Sequence, residues 1–98
     1  MNITFSKENN KLVVVPEGKI DTITAPEFEN IIQENLDGVD NITIDFNLVE
    51  YISSAGLRVL LALQKVMNKK GDMKLINVCD EVMEVFEITG FIDILNVD

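Results

Sequence analysis

Apolar positions along this chain alternate in some stretches and recur every three or four residues in others. Ile3 to Ser6 predicts a short strand, closed by the polar turn Lys7-Glu8-Asn9-Asn10. The β-branched run Leu12-Val13-Val14-Val15 predicts a second strand, stopped by Pro16 and Gly18. Together they read as an antiparallel hairpin. Thr24-Ala25-Pro26-Glu27 has the form of a capping box, in which the Thr24 hydroxyl and Glu27 satisfy free N–H groups reciprocally. Pro26 suits a first turn, where its missing N–H costs nothing. Phe28, Ile31, Ile32 and Leu36 then share one helical stripe, and Asp37-Gly38 ends the helix.

Ile42, Ile44 and Phe46 alternate with Thr43 and Asp45, a strand pattern, and a loop through Leu48 follows. A second helix is predicted from about Ser54 to Lys69. Its interior, Leu57 to Leu63, is apolar on most sides, with a narrow polar stripe through Arg58, Lys65 and Lys69. This should be the most buried of the helices. Lys69 and Lys70 suit a helix C-terminus, and Gly71 stops it. Met73 to Val78 predicts another strand. Asp80 is placed to cap a third helix carrying Val82, Val85 and Phe86, with Gly90 closing it. Ile94 to Val97 adds a short edge strand.

The predicted order is β-β-α-β-α-β-α-β, one domain over residues 1–98. Helices of this length between strands favour right-handed parallel crossovers. The fold class is therefore α/β, a mixed β-sheet with α-helices packed against it. Such a scaffold serves many functions, so function must be read from a site.

Charge narrows the choice. Seventeen acidic residues against eight basic give a net charge of −9. No basic patch is available for nucleic acid, and anionic membrane surfaces are disfavoured for the same reason. A protein partner bearing basic groups would be favoured through faster encounter. There is no histidine, so the commonest general base and metal ligand is missing. Cys79 is the one cysteine; it follows Leu75-Ile76-Asn77-Val78 and reads as a buried thiol in a reducing compartment. Met1-Asn2-Ile3-Thr4 lacks the features of a signal peptide, and no stretch approaches the roughly 20 apolar residues of a membrane span. The expectation is a cytoplasmic protein that needs no cofactor.

The informative segment runs from Asp45 to Leu57. It leads from a strand end, through a loop, to the helix start Ser53-Ser54-Ala55-Gly56. In open α/β sheets, ligands and partners meet the fold at such ends. Two serines there could simply cap the helix, since serine is a favoured N-cap worth about 1 kcal/mol over alanine. Capping leaves Gly56 unexplained, because a glycine in a first turn costs roughly 1 kcal/mol against alanine. Close packing against a strand or a partner would explain it. Catalysis is disfavoured. A nucleophilic serine needs a nearby base, and the run is neither a G-x-S-x-G elbow nor a P-loop.

At this point the chain resembles the STAS domain family, specifically bacterial anti-sigma factor antagonists. Four segments carry the resemblance, in order: Gly18-Lys19-Ile20-Asp21, Ile44-Asp45-Phe46-Asn47, Tyr51-Ile52-Ser53-Ser54-Ala55-Gly56-Leu57 and Gly71-Asp72-Met73-Lys74-Leu75. Many family members have an aspartate before the phosphorylated serine at the helix start. Aligned on Gly56, the resemblance makes Ser54 the phosphoacceptor, with Ser53 replacing the aspartate. Asp21 matches an aspartate near the family's partner-binding face. The implied partner-binding set is Asp21, Thr22, Ser53, Ala55, Gly56 and Arg58.

The resemblance implies a partner-switching cycle. The unmodified domain, a monomer, binds an anti-sigma factor that is also a serine kinase, and a sigma factor is freed. Phosphorylation on Ser54 releases the domain, and a serine phosphatase restores it. ATP and magnesium belong to the kinase. Three other readings stay open: a STAS module in a non-transcriptional switch, a small-molecule or nucleotide-binding domain, and a structural subunit whose serines only cap.

Overall fold

The computed structural model describes residues 1–98. Strands β1 (Asn2–Glu8) and β2 (Lys11–Ile20) form an antiparallel hairpin, closed by Asn9 at a φ of 58°. The ten residues of β2 carry two parallel partners end to end along the other edge. Strand β3 (Asn41–Asp45) pairs with Lys11 to Val14, and β4 (Leu48–Ile52) with Glu17 to Ile20. Strand β5 (Asp72–Ile76) runs parallel to β3 on its far side. Helix α1 (Ala25–Glu34) connects β2 to β3, and α2 (Ser54–Lys70) connects β4 to β5. Helix α3 (Asp80–Thr89) follows, then a 3-10 turn over Phe91–Asp93.

The predicted class, a mixed sheet with helices against it, is the one observed. Several details differ: β1 takes in Lys7 and Glu8, α1 ends at Glu34 short of Leu36 and Asp37-Gly38, and β5 ends at Ile76 short of Val78. Strand β2 does not stop at Pro16 but runs through it. Pro16 falls between the stretches paired with β3 and β4, where that edge asks for no ladder hydrogen bond. The segment read as a loop through Leu48 is strand β4. Its pairing skips Glu50, since Gly18 faces Val49 while Lys19 faces Tyr51. That bulge breaks the alternation by which a strand is recognised. The terminal segment makes one bridge, Leu75 to Val97, rather than a strand of its own. Finally, no side-chain cap forms at Thr24 or at the start of α3, where Cys79 rather than Asp80 is the N-cap.

One face of the sheet is the core face. Leu12 and Val14 of β2 lie beside Ile42 and Ile44 of β3, which lie beside Met73 and Leu75 of β5, all buried. Phe28 and Ile32 of α1 and Leu60, Leu63 and Met67 of α2 join the same cluster. At roughly 1.5–3 kcal/mol per large side chain taken from water, this cluster is the main stabilising term. Helix α2 is the most buried, and its exposed stripe is the predicted Arg58, Lys65 and Lys69. Helix α3 leans on β4 and sets Phe86 against Phe46, ring centroids 6.3 Å apart at 57°. No helix is long and apolar enough to cross a membrane.

Candidate functional site

Strands β2 and β4 run side by side in one direction, and Ile20 pairs with Ile52 at their C-terminal ends. The chain therefore leaves the sheet twice at one rim. One exit passes through Asp21 to α1, the other through Ser53 to α2. The Ser53 N–H donates to the Ile20 carbonyl at 2.9 Å, which ties the exits together. Parallel pairing thus makes neighbours of residues some thirty positions apart in sequence.

At the first exit the Asp21 carboxylate braces the turn that leads into α1. Its Oδ1 accepts the N–H groups of Ile23 and Thr24, each at 3.0 Å. The Thr24 hydroxyl faces back instead, donating to the Lys19 carbonyl at 2.7 Å and accepting from the Asp21 N–H at 2.9 Å. Glu27 pairs with the N-terminal ammonium at 3.4 Å. The capping box is absent: the Asp21 carboxylate takes the Thr24 N–H that Glu27 would have accepted, and the Thr24 hydroxyl is turned toward Lys19 and Asp21, away from the start of α1. The Thr24 N–H holds the Asp21 carboxyl below its usual range, with lesser help from Ile23, the Thr24 hydroxyl and Lys19; burial opposes them in part. Asp21 is therefore ionised across the neutral range.

At the second exit the two serines part company. Ser53 is the N-cap, in extended conformation, yet its side chain makes no cap. Its Oγ is buried without a hydrogen-bond partner. Ser54, the first residue of α2, is exposed. Only one of the two hydroxyls is open to another molecule. Ala55 is half-buried, and Gly56 is buried against Ile20 and Ile52. Of the six residues expected to bind a partner, Asp21, Thr22, Ala55 and Arg58 reach the surface of this rim. Ser53 and Gly56 act beneath it.

Two hollows adjoin the two exits. One, of about 250 Å³, lies between the helix starts, with Thr22, Ala25 and Glu29 on one side and Ala55, Arg58 and Val59 on the other. The second, of about 660 Å³, gathers Asp21, Glu50, Tyr51 and Glu81 around a single cation, Lys19. Sequence reasoning missed Glu50, Tyr51 and Glu81. The bulge in β4 and the docking of α3 bring them to the rim, and neither leaves a local signature. It also missed Ile23, which stands 86 % exposed on the Asp21 turn. No three acidic or thiol side chains converge closely enough to hold a metal ion.

A family model for the STAS domain matches residues 2–98. The chain belongs to the STAS domain family. This STAS domain is 33% identical to BtrV of Bordetella bronchiseptica, assigned as an anti-sigma factor antagonist, across 99% of this chain and 85% of that protein. An anti-sigma factor antagonist from Mycobacterium paratuberculosis superposes with a TM-score of 0.85 at 25% identity, covering 98% of this chain and 85% of that one. The Bacillus cell fate determinant SpoIIAA, in its phosphorylated form, gives a TM-score of 0.76 at 16% identity over 99% of this chain and 91% of its own. Within this domain Ser54, Asp21 and Arg58 all reach the surface at the rim where β2 and β4 end.

Proposed function

We propose that this STAS domain is an anti-sigma factor antagonist working by partner switching in the cytoplasm. The unmodified monomer docks through the rim of Asp21, Thr22, Ala55 and Arg58 onto an anti-sigma factor that is a serine kinase, and a sigma factor is freed. The kinase then modifies Ser54: the Ser54 Oγ attacks the γ-phosphorus of ATP, ADP leaves, and the hydroxyl proton passes to a base on the kinase. The modified domain is released, and a serine phosphatase resets it. The domain itself is not an enzyme.

One observation carries this reading: of the two serines at the start of α2, Ser54 offers an open hydroxyl on the rim shared with Asp21, while the Ser53 hydroxyl is sealed. The relatives assigned as antagonists, and a fold neighbour that exists in a phosphorylated form, support it.

The physics of release follows from position. A phosphoryl group adds about −1.5 to −2 charges at neutral pH. At the start of α2 that charge meets the positive end of the helix dipole, so the helix is not disrupted. The effect falls on the partner, which meets a bulky, hydrated dianion where a small hydroxyl had packed. A loss of about 3 kcal/mol weakens binding more than a hundredfold.

The test is phosphoryl transfer. The domain captures its kinase from cell extract and is incubated with ATP, and the product is mapped by mass spectrometry. One phosphoryl group on Ser54 and none on S54A is the expected result. Transfer to S54A at an unchanged rate would refute the acceptor assignment. A captured kinase that holds no sigma factor would move the domain to a non-transcriptional switch.

A further inference from the structure

We infer that Arg58 holds the phosphoryl group of modified Ser54 within the molecule, drawing it across one helical turn toward the hollow between α1 and α2. The inference rests on the phosphorylation reading above.

Arg58 is the only arginine in the chain. It lies four residues after Ser54 on α2, which makes the two surface neighbours about 5–6 Å apart at Cβ. Both are exposed. In the unmodified protein Arg58 is free, since the two ion pairs formed are those of the N-terminus with Glu27 and of Lys74 with Asp98. Glu29 lines the same hollow but does not pair with it. The first turn of α2 carries no acidic residue, unlike those of α1 and α3, so nothing competes with the phosphoryl group there. Lys65, Lys69 and Lys70 lie farther along α2, beyond reach, and Lys19 belongs to the neighbouring hollow.

The chemistry suits the residue. A guanidinium presents a planar fork that matches two phosphoryl oxygens at once, which a lysine ammonium cannot do. In a chain of net charge −9 this is the one cation on α2 within a helical turn of the added dianion. The latch also alters the surface. With the phosphoryl group held by Arg58, the mouth of the hollow beside Thr22 and Ala55 is covered, so partner release involves occlusion as well as repulsion.

The full chain is prepared with phosphoserine incorporated at position 54, and its second ionisation is followed by ³¹P NMR at low salt. A nearby guanidinium favours the dianion, so the midpoint in the Arg58 protein is expected about 0.2–0.4 pH unit below that of R58Q, with R58K between them. The difference should shrink as salt rises. The helix dipole and the surrounding Glu29, Asp21, Lys19, Glu50 and Glu81 are common to all three proteins, so the difference isolates Arg58. Circular dichroism verifies that each is folded. Equal midpoints in the Arg58 and R58Q proteins at low salt would overturn the latch while leaving kinase-dependent switching untouched. Failure of a kinase to modify Ser54 would do the reverse.

Discussion

Gly56 and Ile20 meet so closely that no side chain fits between them. A methyl group on Gly56 would come within 2.8 Å of Ile20 Cγ2 and 3.1 Å of the Ile20 carbonyl oxygen, with Ile52 Cγ1 closer still at 2.6 Å. The glycine that helix propensity disfavours is thus required by packing. It lets the first turn of α2 sit on the ends of β2 and β4, which holds Ser54 at the rim.

Replacing Gly56 by alanine therefore sets two effects against each other. Alanine gains about 1 kcal/mol in helix propensity. The forced shift of buried isoleucines and of backbone costs about 1–3 kcal/mol. The packing cost is the larger, and G56A should lose up to about 2 kcal/mol by urea denaturation. A stabilised G56A would mean that the contact relaxes freely and does not fix the helix start.

Ser53→Ala should behave unlike an ordinary cap mutation. Such changes typically cost about 1 kcal/mol because a bonded hydroxyl is lost. Here the Ser53 Oγ is buried and unbonded, so removing it spares a desolvated polar group. Stability within about 0.5 kcal/mol of the parent is expected, with Ser54 still the site of modification. A loss above about 1 kcal/mol would reveal a cap in solution.

Asp21 gives the fold an acid-sensitive joint. Its folded-state pKa is lowered, chiefly by the Thr24 N–H. The group binds its proton more weakly when folded than when unfolded. Its contribution is therefore complete above the unfolded value near 4, and is lost as pH falls through the lower folded value. Melting temperatures of the parent should fall over that acid window more steeply than those of D21N. Parallel acid limbs would show that the Ile23 and Thr24 bonds are not maintained.

The contact of Phe86 with Phe46 anchors α3. Both rings are fully buried, so F86A should cost about 3–5 kcal/mol. In a domain of this size that is a large share of a total of about 5–15 kcal/mol. A calorimetric scan measures it, and a loss below about 1 kcal/mol would mean that α3 is held from elsewhere.

Much of this molecule was legible in the chain because the relevant forces act over a few residues. The stripe of Phe28, Ile31, Ile32 and Leu36, and the apolar run Leu57 to Leu63 beside the polar positions Arg58, Lys65 and Lys69, marked two helices and their buried sides. Alternation at Ile42, Ile44 and Phe46 fixed a central strand. The order Ser53-Ser54-Ala55-Gly56 placed two hydroxyls at a helix start. Only the tertiary structure decided which hydroxyl is exposed, since that depends on the Ser53 amide reaching a carbonyl in another strand. It also turned Leu48–Ile52 into a strand through a bulge against Gly18 and Lys19, and carried Glu81 to the rim from α3. Each of these is a contact between segments distant in sequence, and local burial patterns hold no record of which distant segment will arrive.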